Sequence, residues 1–239
     1  MALYVFSDAH LGCGTEAEEK IKVERIGELF ELVKHDGDRL VILGDLFDFW
    51  FEYEHAIPKE HTDVLVMLRE LVTRGIPIDY VSGNHDFWMG NYFEQQIGVR
   101  VHKDTLDFTY AGKRLFLTHG DGLARADRGY RILKMILRNR VNIWLYRKLP
   151  PDWAIPLAKY VSSSSRSYTA RRDHTFEPDY ETYAAARFAD GYDVVLIGHL
   201  HIPRFNQMGA GVYINTGDFM HHFSYARMDN AGIELRYLK

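Results

Sequence analysis

A repeated order of short apolar run, polar cluster and amphipathic segment constrains the fold of this 239-residue chain more than any other feature. Three such apolar runs lie in the first half, at Leu3–Phe6, Leu40–Leu43 and Ile78–Val81. The segments between them, from about 16 to 34 and from 64 to 72, carry apolar residues at helical spacing. Buried strands that alternate with amphipathic helices are typical of an α/β fold whose core is a parallel sheet.

The second half of the chain has a different pattern. Two runs, Thr105–Tyr110 and Arg114–Thr118, flank Ala111-Gly112 and predict a β-hairpin. Further strands are predicted at Val194–Ile197, Val212–Asn215 and Ile233–Tyr237. A hairpin added to parallel strands predicts mixed sheets.

Five polar clusters follow predicted strands, and each contains side chains that commonly bind metal ions. They are Asp8-Ala9-His10, the Gly44-Asp45 pair with Asp48, Gly83-Asn84-His85-Asp86, His119-Gly120-Asp121 and Gly198-His199-Leu200-His201. Ligands bind outside the carboxyl ends of strands in α/β sheets, so these clusters are expected to converge. Carboxylate, imidazole and amide together favour Mn²⁺, Fe²⁺, Zn²⁺ or Co²⁺ over Ca²⁺ or Mg²⁺. Seven of these side chains are taken as candidate ligands, which is more than one ion needs and predicts two ions bridged by a carboxylate. Such a pair of ions is suited to attack on phosphorus.

The segment from about 122 to 176 does not follow the strand and helix alternation. It carries twelve Lys and Arg against three Asp, a local net charge of +9, which leaves −13 for the rest of the chain. An apolar stripe predicts one helix that ends at Pro150-Pro151; its residues are Leu133, Ile136, Leu137, Val141, Trp144 and Leu145. We therefore expect a single domain over 1–239 with a basic, amphipathic helical insertion.

Composition restricts the environment of the protein. The single cysteine, Cys13, excludes an intramolecular disulfide, and no apolar run approaches the roughly 20 residues needed to cross a bilayer. We expect a cytoplasmic protein, since no apolar leader precedes Asp8. A net charge of −4 argues against a stable nucleic-acid partner, and no protein partner is predicted.

The order of the five clusters resembles the calcineurin-like metallophosphoesterase superfamily, whose pattern is D-x-H, G-D-x-x-D, G-N-H-[DE], a lone H and G-H-x-H. The resemblance implies a four-layer αββα sandwich with a dinuclear metal site. It assigns the first ion to Asp8, His10, Asp45 and His201, and the second to Asp45, Asn84, His119 and His199. Asp45 would bridge the ions. His85 and Asn84 would face the scissile phosphate, and Asp48 would orient His85.

A narrower resemblance extends along nearly the whole chain. Ser7–Leu11, Gly44–Trp50 and Asp127–Tyr130 are similar to the UDP-2,3-diacylglucosamine pyrophosphohydrolase family of lipid A biosynthesis. The similarity implies two Mn²⁺ ions, a peripheral location on the cytoplasmic face of the inner membrane, and cleavage of a lipid-linked nucleotide to UMP and 2,3-diacylglucosamine 1-phosphate. The insertion would be a lid over the acyl chains. The better-known members carry Arg at the position of His85, which leaves another pyrophosphate or phosphodiester substrate open.

The insertion is expected to recognise the substrate. Arginine favours bidentate contacts with phosphate, which makes the arginines of this segment candidates for binding a pyrophosphate. The predicted substrate-binding residues are Tyr130, Arg125, Arg128, Arg166, Arg171 and Arg172. The same positive charge would also suit the phosphate backbone of a nucleic acid.

Two other functions are compatible with parts of the pattern. A nuclease or nucleotide phosphodiesterase would use the basic insertion to bind a phosphate backbone and aromatic residues to stack bases. A metal-free interaction module on the same fold would lack some ligands, whereas all seven are present here. The ligand set therefore favours a metal-dependent hydrolase.

Overall fold

The computed structural model describes residues 1–124, 128–158 and 173–238. Its strands are β1 (Ala2–Phe6), β2 (Gly37–Ile42), β3 (Ile78–Val81), β4 (Arg100–His102), β5 (Thr105–Tyr110), β6 (Lys113–Thr118), β7 (Val194–Ile197), β8 (Arg204–Met208), β9 (Gly211–Asn215), β10 (Ser224–Asp229) and β11 (Gly232–Tyr237). Its helices are α1 (Glu16–Asp36), α2 (Thr62–Thr73), α3 (Arg128–Leu137), α4 (Arg140–Tyr146), α5 (151–158) and α6 (Asp173–Ala189). A 3₁₀ turn at Lys59–His61 and a π-helical turn at Phe93–Ile97 complete the described elements.

The strands form two mixed sheets, which confirms the expectation from the sequence. The first sheet has the order β11-β10-β1-β2-β3-β4, and strands β1 to β4 are parallel within it. The second has the order β5-β6-β7-β9-β8, with β6, β7 and β9 parallel and both edge strands antiparallel. The sequence analysis missed β4, β8 and β10, because β4 has only three residues and β8 contains no buried run.

Helix α1 shows how local sequence defines an element. Thr15 caps its first turn in a capping box with Glu18, which satisfies backbone N–H groups that the helix leaves unpaired. The predicted apolar face is buried along its length; it consists of Ile26, Leu29, Phe30 and Val33. Burial of this face fixes α1 against the first sheet.

Three apolar cores separate the layers. The first lies between α1, α2 and the first sheet, and includes Phe30 and Leu68. The second lies between the two sheets, where Val41 and Leu117 are fully buried. The third lies between the second sheet and α6 and includes Tyr180. The resulting order is helix, sheet, sheet, helix, the layering that the resemblance implied.

The region between β6 and β7 departs from the prediction of one long helix. The apolar stripe is divided between α3 and α4, because Asn139 caps α4 by accepting a hydrogen bond from the backbone N–H of Val141 at 2.9 Å. The proline pair ends no long helix, and Pro151 is instead the first helical residue of α5, a position that tolerates its missing N–H. No helix among the described residues is both long enough and apolar enough to span a bilayer.

Candidate metal centre

The loops that carry the predicted ligands are held to one another by continued backbone pairing beyond the strands. After β1 and β2, the N–H of Asp8 donates to the carbonyl of Gly44 at 3.1 Å, and that of His10 donates to Asp45 at 3.0 Å. The N–H of Trp50 donates to the carbonyl of His85 at 3.2 Å, which joins the loop after β3. The side chains of these loops are therefore positioned by a nearly continuous ladder.

Asp8, His10 and His201 form the first group of convergent side chains. The Asp8 Oδ1 atom lies 3.2 Å from the Nε2 atom of His201 and 3.8 Å from that of His10. The two Nε2 atoms lie 3.1 Å apart. Asp8 Oδ1 is buried and has no hydrogen-bond partner among the described residues, whereas Oδ2 accepts from the N–H of His199 at 3.0 Å. A buried carboxylate oxygen without a donor is suited to a cation.

Asp45, His119 and His199 form the second group, with Asn84 beside them. The Nδ1 atom of His119 lies 2.9 Å from the Leu43 carbonyl, which can only accept, so Nε2 is left to face the centre. That Nε2 atom lies 3.0 Å from Asn84 Oδ1 and 3.3 Å from Asp45 Oδ2.

Asp45 lies between the two groups. Its Oδ2 atom is 3.3 Å from His119 in the second group and 3.7 Å from the Nε2 atom of His10 in the first. Its Oδ1 atom accepts a hydrogen bond from the N–H of His85 at 2.9 Å. A carboxylate in this position can reach an ion in either group.

The charges of the centre favour a bound cation. Burial disfavours the imidazolium of His119, yet the adjacent Asp45 carboxylate raises the pKa of His119 to about 10. Burial also opposes ionisation of Asp45, but the imidazoles of His119, His85 and His10 hold the pKa of Asp45 well below its usual range. Burial and the charge of His119 lower the pKa of His199 to about 4. Because a metal-binding histidine is neutral, a metal ion would replace the proton on His119.

Glycines leave space for the ligands. A Cβ atom on Gly83 would lie 2.0 Å from Asp45 Oδ1, and one on Gly44 would lie 2.5 Å from His119 Nδ1. The buried Asp8 Oδ1 atom, which accepts no hydrogen bond from the described residues, and the mixed carboxylate, imidazole and amide donors fit divalent transition-metal ions.

His85 and Asp48 form part of a third group with His10. The Nδ1 atom of His85 lies 2.9 Å from the backbone carbonyl of Asp48, so Nδ1 carries the hydrogen and Nε2 faces the centre, 3.9 Å from Asp45 Oδ2. The Asp48 carboxylate lies 3.6 Å from Nδ1 of His85 and 3.7 Å from Nδ1 of His10. Burial lowers the pKa of His85. Asp48 is thus placed behind two histidines, although the sequence pattern connected it with His85 alone.

Comparison with known proteins agrees with this geometry. A family model for calcineurin-like phosphoesterases matches residues 1–203. The chain belongs to this family. Buried Asp and His clusters, together with this membership, identify the protein as a metal-dependent phosphoesterase.

Two curated relatives of this phosphoesterase share one name with each other. The UDP-2,3-diacylglucosamine hydrolase of Porphyromonas gingivalis is 29% identical and is aligned over 99% of this chain and 97% of its own. The UDP-2,3-diacylglucosamine hydrolase of Nitrosococcus oceani is 30% identical over 85% of this chain and 80% of its own.

Two solved structures share the fold. An archaeal phosphodiesterase has a TM-score of 0.52 at 14% identity, with full coverage of both chains. Vacuolar protein sorting 29 from Cryptosporidium parvum has a TM-score of 0.51 at 13% identity and covers 100% of this chain and 91% of its own. At these identities the likeness concerns the fold alone.

An apolar cavity of about 400 Å³ opens beside the metal centre of the phosphoesterase. At the centre it is lined by Asp48, Asn84 and His85. Its remaining walls are Phe49, Phe51, Trp88, Tyr130, Leu133, Ile136, Leu137, Asn142, Ile143, Tyr146, Leu157 and Ala158. The volume lies within the range typical of pockets for small molecules.

The predicted substrate-binding residues are only partly described. Tyr130 lies at the site, where its ring centroid is 6.1 Å from that of His199 and its hydroxyl donates to Asp121 at 2.8 Å. Arg128 begins α3, and its side chain is not among those described. The other predicted arginines, Arg125, Arg166, Arg171 and Arg172, lie outside the described residues.

The loop after β9 supports the centre and was missed by the sequence analysis. The hydroxyls of Thr216 and Ser7 lie 2.7 Å apart, and Ser7 donates in turn to Asp8. The N–H of Phe219 donates to the Asp8 carbonyl at 3.1 Å. The available signal was the polar run 215–218, Asn-Thr-Gly-Asp, directly after a buried strand.

Proposed function

We propose that this phosphoesterase hydrolyses the pyrophosphate bond of a lipid-linked nucleotide, UDP-2,3-diacylglucosamine, to UMP and 2,3-diacylglucosamine 1-phosphate. One observation carries the proposal: the apolar cavity begins at Asn84 and His85 of the metal centre and continues between α3, α4 and α5. A small nucleotide or an inorganic phosphate would have no use for such walls, whereas an acyl chain attached near the scissile bond would. The names of the curated relatives support the same substrate.

The metal ligands follow from the two groups of the centre. Asp8, His10, Asp45 and His201 would hold the first of two divalent ions, and Asp45, Asn84, His119 and His199 the second, with Mn²⁺ as the expected metal. When bound, such ions lower the pKa of water and neutralise phosphoryl oxygens. The chain orients these ligands, as the Leu43 carbonyl does for His119 by accepting from its Nδ1 atom.

His85 and Asn84 would act on the phosphate itself. Both line the cavity where it meets the metal centre, and Nε2 of His85 faces that point because Nδ1 is held by the Asp48 carbonyl. An approaching phosphate favours the imidazolium form of a nearby histidine. His85 would then donate from Nε2 to a phosphoryl oxygen or to the leaving phosphate.

Helices α3, α4 and α5 would form the lid over the acyl chains. Their outer surface is apolar and basic, since Val141, Trp144 and Trp153 are 62%, 57% and 76% exposed and Arg147 and Lys148 lie beside them. A surface of this kind suits the interface of a membrane that contains anionic lipids. We therefore place the protein at a membrane surface as a peripheral protein.

The decisive assay compares two substrates with Mn²⁺. We expect release of UMP from UDP-2,3-diacylglucosamine with a much higher kcat/KM than cleavage of bis(p-nitrophenyl) phosphate, which needs only the metal centre. Ile143→Trp places a larger side chain in the cavity. It is expected to lower kcat/KM for the lipid substrate by about tenfold or more, because the acyl chain then loses its contacts with the cavity walls. Cleavage of the small diester should remain unchanged.

Val66→Trp is the matched control, since it adds the same side chain at a 62% exposed position of α2 that does not line the cavity. It should leave both activities unchanged. Cleavage of the small diester without UMP release, or hydrolysis of single-stranded nucleic acid that weakens steeply with salt, would contradict the proposal.

A further inference from the structure

A buried lysine lies beside the metal centre, and the proposed chemistry does not use it. Lys22 of α1 is only 3% exposed, although lysine is almost never fully buried unless it is paired. Its Nζ atom donates to the carbonyl of His10 at 2.8 Å and forms an ion pair with Glu19. It also lies 3.5 Å from the Sγ atom of Cys13. These partners all belong to the segment that follows β1 or to the first turns of α1.

The residue that Lys22 holds has an unusual backbone. His10 has a φ of +42°, in the left-handed region that residues other than glycine seldom adopt. Lys22 donates to the carbonyl of this same residue, and the buried carbonyl is thereby satisfied. A residue in this region persists only when its surroundings determine it.

Glu19 extends the restraint to the next residues. Its carboxylate accepts hydrogen bonds from the N–H groups of Gly12 and Gly14, each at 2.7 Å, while it neutralises Lys22. Lys22 and Glu19 therefore hold residues 10–14 as one unit against α1. The side chains of the second group come from other loops; Asp45 is joined to residues 10–14 by the hydrogen bond from the His10 N–H to its carbonyl.

We infer that Lys22 is a positioning residue for His10. Lys22 fixes the left-handed backbone of His10, and this backbone aims the imidazole at the first ion. The inference rests on the proposed role of His10 as a ligand. Without the ammonium, the His10 backbone relaxes and its Nε2 atom leaves the position near Asp8 and His201. Affinity falls at the first ion and is kept at the second, because Asn84, His119 and His199 come from the loops after β3, β6 and β7.

The test is a titration of the metal-free full chain with Mn²⁺ in which free Mn²⁺ is followed by electron paramagnetic resonance. Two sites are expected in the parent protein. Lys22→Met should weaken one of them by about 10- to 100-fold, the usual effect of removing a group that orients a ligand, and leave the other within about threefold. Lys22→Arg keeps a cationic donor and should recover part of the lost affinity.

Lys34→Met is the matched control on the same helix. Lys34 is 11% exposed and pairs with Glu31 and Glu70 at 2.8 and 2.9 Å, away from the metal loops. The Lys34→Met variant should be less stable than the parent, while both of its Mn²⁺ affinities stay at parental values. If Lys22→Met does not fold, Glu19→Gln, which weakens the same restraint, should reduce affinity at one site only.

The outcomes separate the inference from the proposal beneath it. Lys22→Met with a lower Tm and two unchanged Mn²⁺ affinities overturns the positioning role, as does Glu19→Gln with two unchanged affinities when it is the variant used. A parent protein that binds no Mn²⁺ overturns the ligand assignment instead. A parent with two sites and a Lys22→Met variant with one weakened site supports both.

Discussion

Five residues of the metal centre have a left-handed backbone. The φ angles are 57° at Asp8, 42° at His10, 51° at Asp45, 69° at His199 and 56° at His201. Each such conformation costs of the order of 1–3 kcal/mol for a residue other than glycine. The cost is offset by hydrogen bonds from neighbouring loops, such as the bond from Leu11 N–H to the Leu46 carbonyl at 2.9 Å. The centre is therefore imposed by the surrounding fold.

Close approach of the backbone to Asp45 leads to the first prediction. Gly83→Ala would place a methyl group 2.0 Å from Asp45 Oδ1, so either the carboxylate or the loop after β3 must move. We expect loss of at least one bound metal ion and a reduction of kcat by 100-fold or more. Metal content by atomic emission and the rate of diester cleavage would measure both effects.

Gly27→Ala is the control for that substitution. Gly27 lies inside α1, and its added Cβ would meet only the Sδ atom of Met67 at 3.8 Å, an ordinary contact. Alanine in a helix interior is more favourable than glycine by about 1 kcal/mol, so this variant should be active and slightly more stable. Gly83→Ala with parental metal content would show that the tight approach has no consequence.

The role proposed for His85 gives the second prediction. His85→Ala removes the imidazole but keeps the N–H that donates to Asp45. We expect kcat to fall by about 10²- to 10⁴-fold, the usual effect of losing a proton donor, with metal content unchanged. Turnover within about threefold of the parent would remove His85 from the chemistry.

The Asp121 carboxylate is one attachment of helix α3 to the loop after β6. Asp121 lies two residues after His119. Its carboxylate accepts a hydrogen bond from the Tyr130 hydroxyl at 2.8 Å and forms an ion pair with Lys134 at 2.7 Å. Burial opposes its ionisation, but the charges of His119, Lys134 and Arg138 lower the pKa of Asp121 to about 2. The carboxylate is therefore charged at neutral pH and anchors α3 over the cavity.

Asp121→Asn should loosen this attachment. We expect kcat/KM for the lipid-linked substrate to fall by about tenfold or more, because one wall of the cavity is displaced, while cleavage of the small diester changes little. Asp104→Asn is the control, since Asp104 pairs with Arg138 at 2.9 Å from a position that is 68% exposed. Equal losses on both substrates would mean that Asp121 acts on the metal centre itself.

Asp79 connects three parallel strands of the first sheet. It is buried on β3 and pairs with Arg39 of β2 at 2.7 Å and with Arg100 and His102 of β4 at 2.8 Å each. Burial opposes its ionisation, but hydrogen bonds and ion pairs with these partners lower the pKa of Asp79. A lowered pKa stabilises the folded state above the ordinary carboxyl range, and this stabilisation is lost as the pH falls through the folded-state pKa.

Asp79→Asn should therefore reduce the free energy of unfolding by about 2 kcal/mol at pH 7, below the 3–5 kcal/mol of a fully buried pair because Arg100 is 58% exposed. The difference from the parent should persist at pH 5 and should narrow below about pH 4. Urea denaturation at these pH values measures it. A difference that is independent of pH down to acid would contradict ionic stabilisation.

At the scale of the whole molecule, the metal centre joins the two sheets. Asp8, Asp45 and Asn84 follow strands of the first sheet, while His119 and His199 follow strands of the second. With the proposed ligands on both sheets, bound ions would hold the sheets together at this edge. Anything that binds only the folded protein stabilises it, so stability should depend on metal.

Removal of metal should lower the Tm. At a free Mn²⁺ concentration 100 times Kd, one site contributes about 2.7 kcal/mol, and a chain of this size shifts by about 2–4 °C per kcal/mol. Chelation should thus lower the Tm by about 5–10 °C for each ion, and added Mn²⁺ should restore it. An identical Tm with and without chelator in differential scanning fluorimetry would contradict binding.

The α/β class, α1, α2 and the strand ends that carry the proposed ligands were predictable from the sequence. Apolar runs and helical spacing depend on neighbouring residues, and the carboxyl ends of parallel strands must share an edge, so Asp8, Asp45 and Asn84 could be grouped without coordinates. The division between α3 and α4 was not foreseen. Its cause is the cap at Asn139, which interrupts an otherwise continuous apolar pattern.

The sequence alone determined which residue types line the centre and which strands present them. Only the tertiary structure decided that the Nε2 atoms of His10 and His201, residues 191 positions apart, lie 3.1 Å from each other. It also decided that Lys22 holds the His10 backbone and that a cavity opens beside His85. The physical reason is range. Periodicity and capping act within a few residues, whereas these contacts are created when two sheets and their loops pack together.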